Sequence, residues 1–389
     1  GHGARRLVLI AFYAPMKPPD HPVPSGDRRM ARLLIQALER AGHRVELASR
    51  FCSRDPQGDR ERQSRLSRIG QGLARRALRR YRARPSAQRP DAWLTYHLYY
   101  KAPDWIGPRV AEGLSIPYLA AEASVAPKRA GGPWDLGHRA TLAALETSSA
   151  VITLNPDDEP CLPEGCKIHR LRPFLEAAPY RAAAAERPRH RAALAHRYAM
   201  DQAVPWILAV GMMRAGDKTA SYRLLAETAA ELQDVAWQLL IVGDGPSRRE
   251  VMDCFAAVSS SGAGDRVRFA GQVDASELRP ILAASDVYAW PAVREAYGMA
   301  LLEAQAAGVP VVAGNYGGVA SIVEDGQTGL LAAPGDRTAF RDALRGLLRD
   351  AVRREQMGHA ALAKVAALHD LDRAADEFDR ILRAARTEP

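Results

Sequence analysis

The chain has 389 residues, 47% of them hydrophobic, and a formal net charge of +9. Its length exceeds one ordinary core and suits two α/β domains of similar size, and no run approaches the roughly 20 apolar residues that cross a bilayer, which excludes a helical span. The four cysteines are too scattered for a disulfide framework or a zinc pattern and read as free thiols, while the basic balance implies attraction to something anionic: nucleotide phosphates, an anionic acceptor, a lipid surface or nucleic acid.

Gly1-His2-Gly3 has no initiator Met and runs straight into Arg-Arg and a strand, so it reads as an expression scar and not a signal peptide, with a cytoplasmic address as the expectation. Short apolar runs then alternate with helix-permissive stretches. In the first half they are 7–12, 45–48, 92–97, 117–121, 150–154 and 168–171; in the second half 206–210, 238–242, 267–270, 287–290, 309–313 and 329–332. This alternation is the mark of parallel sheets built from βαβ units. It predicts two doubly wound domains, 1–175 and 176–369, with an interdomain linker in the Pro-, Ala- and Arg-rich stretch 173–191. In such sheets ligands bind outside the carboxyl ends of the strands, so two facing domains make a cleft there and motifs at strand ends carry most weight. Two helical segments, 338–348 and 350–386 with a break near His369-Asp370, close the chain.

After the first strand, a proline-stiffened loop ends in Ser25-Gly26-Asp27 and leads into a helix over 28–40. Ser25 and Gly26 fit either a helix cap and turn or a ligand contact. Arg60 to Arg84 is Arg-rich, with Leu66, Ile69, Leu73 and Ala77 at helical spacing opposite Arg65, Arg68, Arg75, Arg76, Arg79 and Arg80. Such a segment fits a basic amphipathic helix lying on anionic lipid, or a solvated, partly disordered insertion. His97 stands at the end of the third strand, where it either bonds a sugar or satisfies local backbone. Glu122, near the end of the fourth, reads either as a group that binds an acceptor hydroxyl or amine or as a buried structural carboxylate.

In the second half, the strand 206–210 ends in Gly211-Met-Met-Arg214-Ala-Gly-Asp-Lys218, which puts two cations in one short loop. Such a pair neutralises charge growing on a leaving diphosphate; an ordinary basic surface loop is the alternative. Val242-Gly243-Asp244-Gly245-Pro246 permits a tight turn between strand and helix. In Trp290-Pro-Ala-Val-Arg-Glu295-Ala-Tyr297-Gly298-Met299-Ala300-Leu-Leu-Glu303, a strand ends in a loop carrying Glu295, a helix opens at Tyr297-Gly298, and Glu303 falls about one turn beyond Met299 on the same side. A helix start offers free N–H groups to a diphosphate, and carboxylates accept from sugar and ribose hydroxyls. Gly298 lets the backbone approach a ligand.

The segment Glu295-Ala-Tyr-Gly-Met-Ala-Leu-Leu-Glu303 resembles the E-x7-E signature of family-4 retaining glycosyltransferases, and Gly308-Val-Pro310, Gly317-Gly318 and Asp325-Gly326-Gln-Thr-Gly329 continue that pattern. The resemblance implies a GT-B fold, two Rossmann-like domains facing across a cleft. The N-terminal domain would take the acceptor and the C-terminal domain the nucleotide sugar, with the last helix, about 370–389, crossing back to the first domain. It further implies that Glu295 contacts the transferred sugar, Glu303 holds the ribose, and Arg214 and Lys218 grip the phosphates, one residue closer together than in the commonest spacing. Gly26, Gly243, Val273, Tyr297, Gly298, Met299 and Ala300 would line the donor, and His97 and Glu122 the acceptor or sugar. Many relatives carry a His where Glu122 stands, a departure that touches the sugar side and not the nucleotide grip.

The implied activity is transfer of a hexose-type sugar, with retention and without metal or other cofactor, from a nucleoside diphosphate sugar to a carbohydrate or glycolipid acceptor. Peripheral contact with the inner membrane face would run through Arg60 to Arg84, and no nucleic acid is expected. Rival readings are an epimerase or phosphorylase of the same fold, and a non-enzymatic binding protein that uses the Arg-rich helix.

Overall fold

The computed structural model describes residues 7–23, 25–260, 266–295 and 298–387. It divides into two compact units, one of 1–172 with 371–389 and one of 173–370. In the first unit the elements are β1 (Leu9–Tyr13), α1 (Gly26–Arg40), β2 (Arg44–Ser49), α2 (Arg60–Arg82), β3 (Ala92–Leu98), α3 (Gly107–Leu114), β4 (Tyr118–Ala123), α4 (Asp135–Glu146), β5 (Ala150–Thr153) and β6 (Ile168–Arg170). All pairings are parallel, in the order β2-β1-β3-β4-β5-β6. Helices on both faces bury nearly all of the inner strands, which is why β1, β4 and β5 read as near-continuous apolar runs.

The second unit holds α5 (Ala178–Ala185), α6 (Arg187–Tyr198), β7 (Trp206–Val210), α7 (Asp217–Ala230), β8 (Gln238–Val242), α8 (Arg248–Ser260), β9 (Val267–Gly271), α9 (Ala275–Ala284), β10 (Val287–Trp290), α10 (Met299–Ala306), β11 (Val311–Gly314), α11 (Val319–Ile322), β12 (Gly329–Ala332), α12 (Arg337–Arg349) and α13 (Ala351–Lys364). Its sheet is parallel, in the order β12-β11-β10-β7-β8-β9. The strand order reverses between β1 and β3 in the first unit and between β7 and β10 in the second. Those are the switch points where loops diverge and leave room for a ligand.

A π-helical turn over Val365–His369 interrupts the closing helix, and His369 Nδ1 donates to the Pro173 carbonyl at 2.6 Å. The chain then returns to the first unit as α14 (Leu371–Thr387). Phe378, Ile381 and Leu382 of α14 are buried, and Arg40–Asp372 (2.6 Å) and Arg386–Asp91 (3.2 Å) tether its ends.

Two expectations are corrected. The stretch 173–191 is not a linker between the units but belongs to the second unit and folds into α5 and the start of α6. Arg187 and Arg191 pin it by meeting the two oxygens of Asp286 at 2.7 and 2.9 Å and the carbonyls ending α9; cations suit a helix C-terminus. The Arg-rich segment is no partly disordered insertion but the 23-residue helix α2, capped by Asp59. Its buried face runs through Gln63, Leu66, Gly70, Ala74, Ala77 and Tyr81. Gly70 admits Trp105 so closely that a Cβ there would sit 2.3 Å from the Trp105 Cβ, whereas Ile69 stays 44% exposed. Among the described residues all four cysteines are free and no helix is long and apolar enough to cross a membrane.

Candidate active site

At the switch point of the second unit, β7 delivers the loop 211–216 and β10 the loop beginning at Pro291. The first loop is held by a backbone ladder: Gly211 N–H donates to Val242 O at 3.0 Å, Met213 N–H to Asp244 O at 2.9 Å, and Ser247 N–H to Met213 O at 2.8 Å. Gly243 and Gly245 make this approach possible. Both have positive φ, and a Cβ on Gly243 would lie 1.9 Å from the Gly211 carbonyl oxygen, one on Gly245 2.3 Å from that of Met213. Gly243 thus acts by shaping the cation-bearing loop.

Lys218, in the first turn of α7, meets Glu295 at 2.6 Å. Trp290 Nε1 lies 3.4 Å from the same carboxylate oxygen, and the Lys218 ammonium sits 5.5 Å from the Trp290 ring centre. Trp290 is itself fixed edge-to-face on Tyr222, whose hydroxyl donates to Gly211 O at 2.7 Å. The Glu295 loop is bonded to α7 by Val293 N–H donating to Ser221 Oγ at 3.0 Å. Ala292 and Arg294 hold φ of 56° and 49°, left-handed conformations that cost non-glycine residues about 1 kcal/mol or more and gather at functional loops. Arg214 is exposed and, among the described residues, has no acidic partner.

Gly298, at φ 72°, precedes α10, whose first turn contains Met299 and Ala300. Tyr297 lies outside the described residues. Glu303, one turn further, is only 4% exposed and accepts from the Tyr180 hydroxyl of α5 at 2.6 Å. Beneath them, burial above all, then Tyr222 and the charges of Glu303 and Glu295, holds the Tyr288 phenol well above its ordinary range. It remains a donor to Val210 O at 3.0 Å and fixes the end of β7. Both acids of the pair therefore act on one buried ring. Val273 lies just past β9, packed against the core.

In the first unit, Ser25 caps α1, its Oγ accepting from Arg28 N–H at 3.2 Å. Space over Gly26 is open, with nothing within 4 Å of where a Cβ would stand. His97 Nδ1 lies 2.7 Å from Asp27 Oδ1. Burial pushes the Asp27 carboxyl up, but the hydrogen bond and charge of His97, with Lys17, outweigh it and hold it below the usual range. Glu122 accepts from Leu154 N–H at 2.5 Å, and burial, helped by Asp158 and opposed by that bond and by His97, raises it to about 7. His97 and Glu122 both have positive φ, 62° and 57°.

Sequence reasoning did not single out Trp290, Tyr180, Tyr222 or Asp27 as site residues. Asp27 adjoins the Ser25-Gly26 motif and could have been found as a first-turn acid. Tyr180 stands 123 positions from Glu303 and carries no local signal. Among the described residues no group of three or more metal-ligating side chains assembles.

Two Rossmann-like units with these strand orders define the GT-B class, and solved structures agree. A sucrose-phosphate synthase from Thermosynechococcus elongatus superposes with a TM-score of 0.70 at 23% identity, covering 97% of this chain and 98% of its own. An Anabaena protein solved in complex with UDP gives 0.71 at 15%, covering 97% and 100%. Residues 204–350, within the second unit, match the family described as Glycosyl transferases group 1. The α-D-kanosaminyltransferase of Streptomyces kanamyceticus is 32% identical over 219 residues, 56% of this chain and 54% of that protein. The chain spans about half the length, or less, of the curated relatives it matches.

Proposed function

We propose that the protein transfers a hexose-type sugar from a nucleoside diphosphate sugar to an acceptor hydroxyl, with retention of anomeric configuration and without a metal. The observation that carries this reading is the meeting of Lys218, in the first turn of α7, with Glu295, on the loop after β10, at 2.6 Å, beside the amino end of α10. Arg214 and Lys218, with the N–H groups of residues 298–300, stabilise the departing diphosphate. Glu295 positions the sugar and Glu303 anchors the ribose. Retention follows a front-face route in which the leaving phosphate oxygen deprotonates the acceptor. The two cations and the helix terminus supply the charge a divalent ion would otherwise provide. That an Anabaena structure of the same fold holds UDP supports the donor class.

The test is incubation with UDP-, GDP- and ADP-sugars in EDTA while nucleotide release is followed. Slow, EDTA-resistant hydrolysis of one donor is the expected result; binding of none of them, or release abolished by EDTA, overturns the reading.

We also propose that α2 contacts anionic lipid at the inner membrane face, because Ile69 is 44% exposed beside Arg65, Arg68 and Arg76 on the outward side of the helix. Basic residues each add roughly 1 kcal/mol near such a surface, and salt screens the attraction. Anionic liposomes should retain the protein at low salt and release it at high salt; failure to bind at low salt removes this contact.

A further inference from the structure

We propose that the loop after β3 and the turn ahead of α4 form an oxyanion site on the first unit, made by Lys101 and Arg129 over Tyr100 and Trp134, which takes a phosphate or carboxylate carried by the acceptor. The Arg129 guanidinium carbon lies 5.2 Å from the Tyr100 ring centre and 4.9 Å from that of Trp134. The Lys101 ammonium lies 5.8 and 5.1 Å from the same two rings. Two cations thus share one aromatic pair, and among the described residues neither has a carboxylate partner. Arg129 Nε is shielded from solvent and bonded to nothing.

Like charges that share one aromatic pair repel, and more strongly where water is excluded. The electron-rich ring faces offset part of that, and an oxyanion between the two cations would reverse the sign. The guanidinium offers a planar fork of N–H donors that matches phosphate or carboxylate, and the ammonium adds a point charge. The platform is rigid. Trp134 Nε1 donates to Asp55 O at 2.9 Å, and Gly58 lies so close under the indole that a Cβ would stand 3.2 Å from Trp134 Cδ2. The word acceptor rests on the transferase reading; oxyanion binding stands on this unit alone.

The probes are inorganic phosphate and malate, titrated calorimetrically at fixed ionic strength against chloride, with a nucleoside diphosphate titrated into the same samples. Wild type should bind one oxyanion saturably. Lys101→Met with Arg129→Gln should weaken it at least tenfold, each single variant about threefold, and Lys101→Arg should retain it; unchanged melting and circular dichroism establish that the variants fold, and the single variants decide if the double does not. Preference for phosphate assigns a phosphorylated acceptor, preference for malate a carboxylated one, and either supports the site. No saturable binding beyond chloride, or equal binding in wild type and variants, overturns it. Nucleotide affinity should be untouched by these changes. A protein that binds phosphate here but no nucleotide sugar would sink the transferase reading and leave this site standing.

Discussion

The Tyr180 hydroxyl donates to Glu303 Oε1 at 2.6 Å, so a helix at the start of the second unit sets the orientation of the second acid of the E-x7-E pair. Tyr180 is in turn overlain by the Arg279 guanidinium at 5.7 Å. A hydrogen bond to a charged group contributes about 1.5–3 kcal/mol. Tyr180→Phe should therefore weaken nucleoside diphosphate binding by roughly tenfold, and Glu303→Ala by at least as much. If Glu303 holds the ribose, both losses should shrink when calorimetry is repeated with a 2′,3′-dideoxy nucleotide. Equal losses for the two ligands would assign the pair a purely structural role.

Lys218 and Arg214 leave the same strand end but stand in different surroundings. Lys218 is bonded to Glu295, whereas Arg214 is exposed; the proposed transfer assigns it to charge that appears only as the glycosidic bond breaks. Arg214→Ala should lower kcat by roughly a hundredfold, the usual effect of removing one group that stabilises developing charge, with little change in nucleotide affinity. Lys218→Met should damage both, because it also frees Glu295. Steady-state kinetics and nucleotide titration on each variant decide this; an Arg214→Ala variant that loses as much nucleotide binding as Glu303→Ala would refute the division of labour.

Much of the fold was legible because its strands are buried on both sides. Runs such as 206–210, 238–242, 287–290 and 329–332 coincide with β7, β8, β10 and β12, since a strand covered on both faces is apolar throughout and polar turns punctuate it. The stretch 173–191 misled because its Pro and Arg residues resemble a linker. Helix formation there depends on Asp286, some hundred positions away, a contact with no local trace. In α2 the apolar face read from the sequence holds at Leu66 and Ala77, but Ile69 lies outward, and Gly70, which carries no hydrophobic weight, belongs to the buried face because Trp105 needs its space. Glu295 and Glu303 were legible as a spaced pair, but the partners that orient them, Lys218, Trp290 and Tyr180, come from other elements. The positive φ of His97, Glu122, Ala292 and Arg294 is imposed by tertiary packing and is invisible in the sequence.

Glu122 gives the first unit a pH-dependent term. Its folded pKa, raised chiefly by burial to about 7 from 4.5, lies above the unfolded value. The contribution of Glu122 is therefore fully present below the unfolded pKa and is lost as pH rises through 7, by roughly 3 kcal/mol when both states are ionised. Glu122→Gln keeps an oxygen for the Leu154 N–H and removes the titration. In urea unfolding the variant should match wild type near pH 4.5 and exceed it at pH 8; an unchanged difference across that range would show that the carboxyl does not ionise in this window.

Two glycines assigned to the donor separate steric need from ligand need. At Gly243 a Cβ would collide with the Gly211 carbonyl at 1.9 Å and φ is +142°, so Gly243→Ala forces the loop 211–214 to move. It should cost about 2–4 kcal/mol of stability, the range for strained backbone combined with overpacking, and lower turnover with it. At Gly26 nothing lies within 4 Å and the residue begins a helix, where Ala is no worse than Gly. Gly26→Ala should unfold within about 0.5 kcal/mol of wild type. Any fall in its turnover then reports a substrate that must approach the backbone there. Stability and kcat measured side by side on the two variants make the distinction, and a Gly26→Ala enzyme with wild-type turnover would remove Gly26 from the donor site.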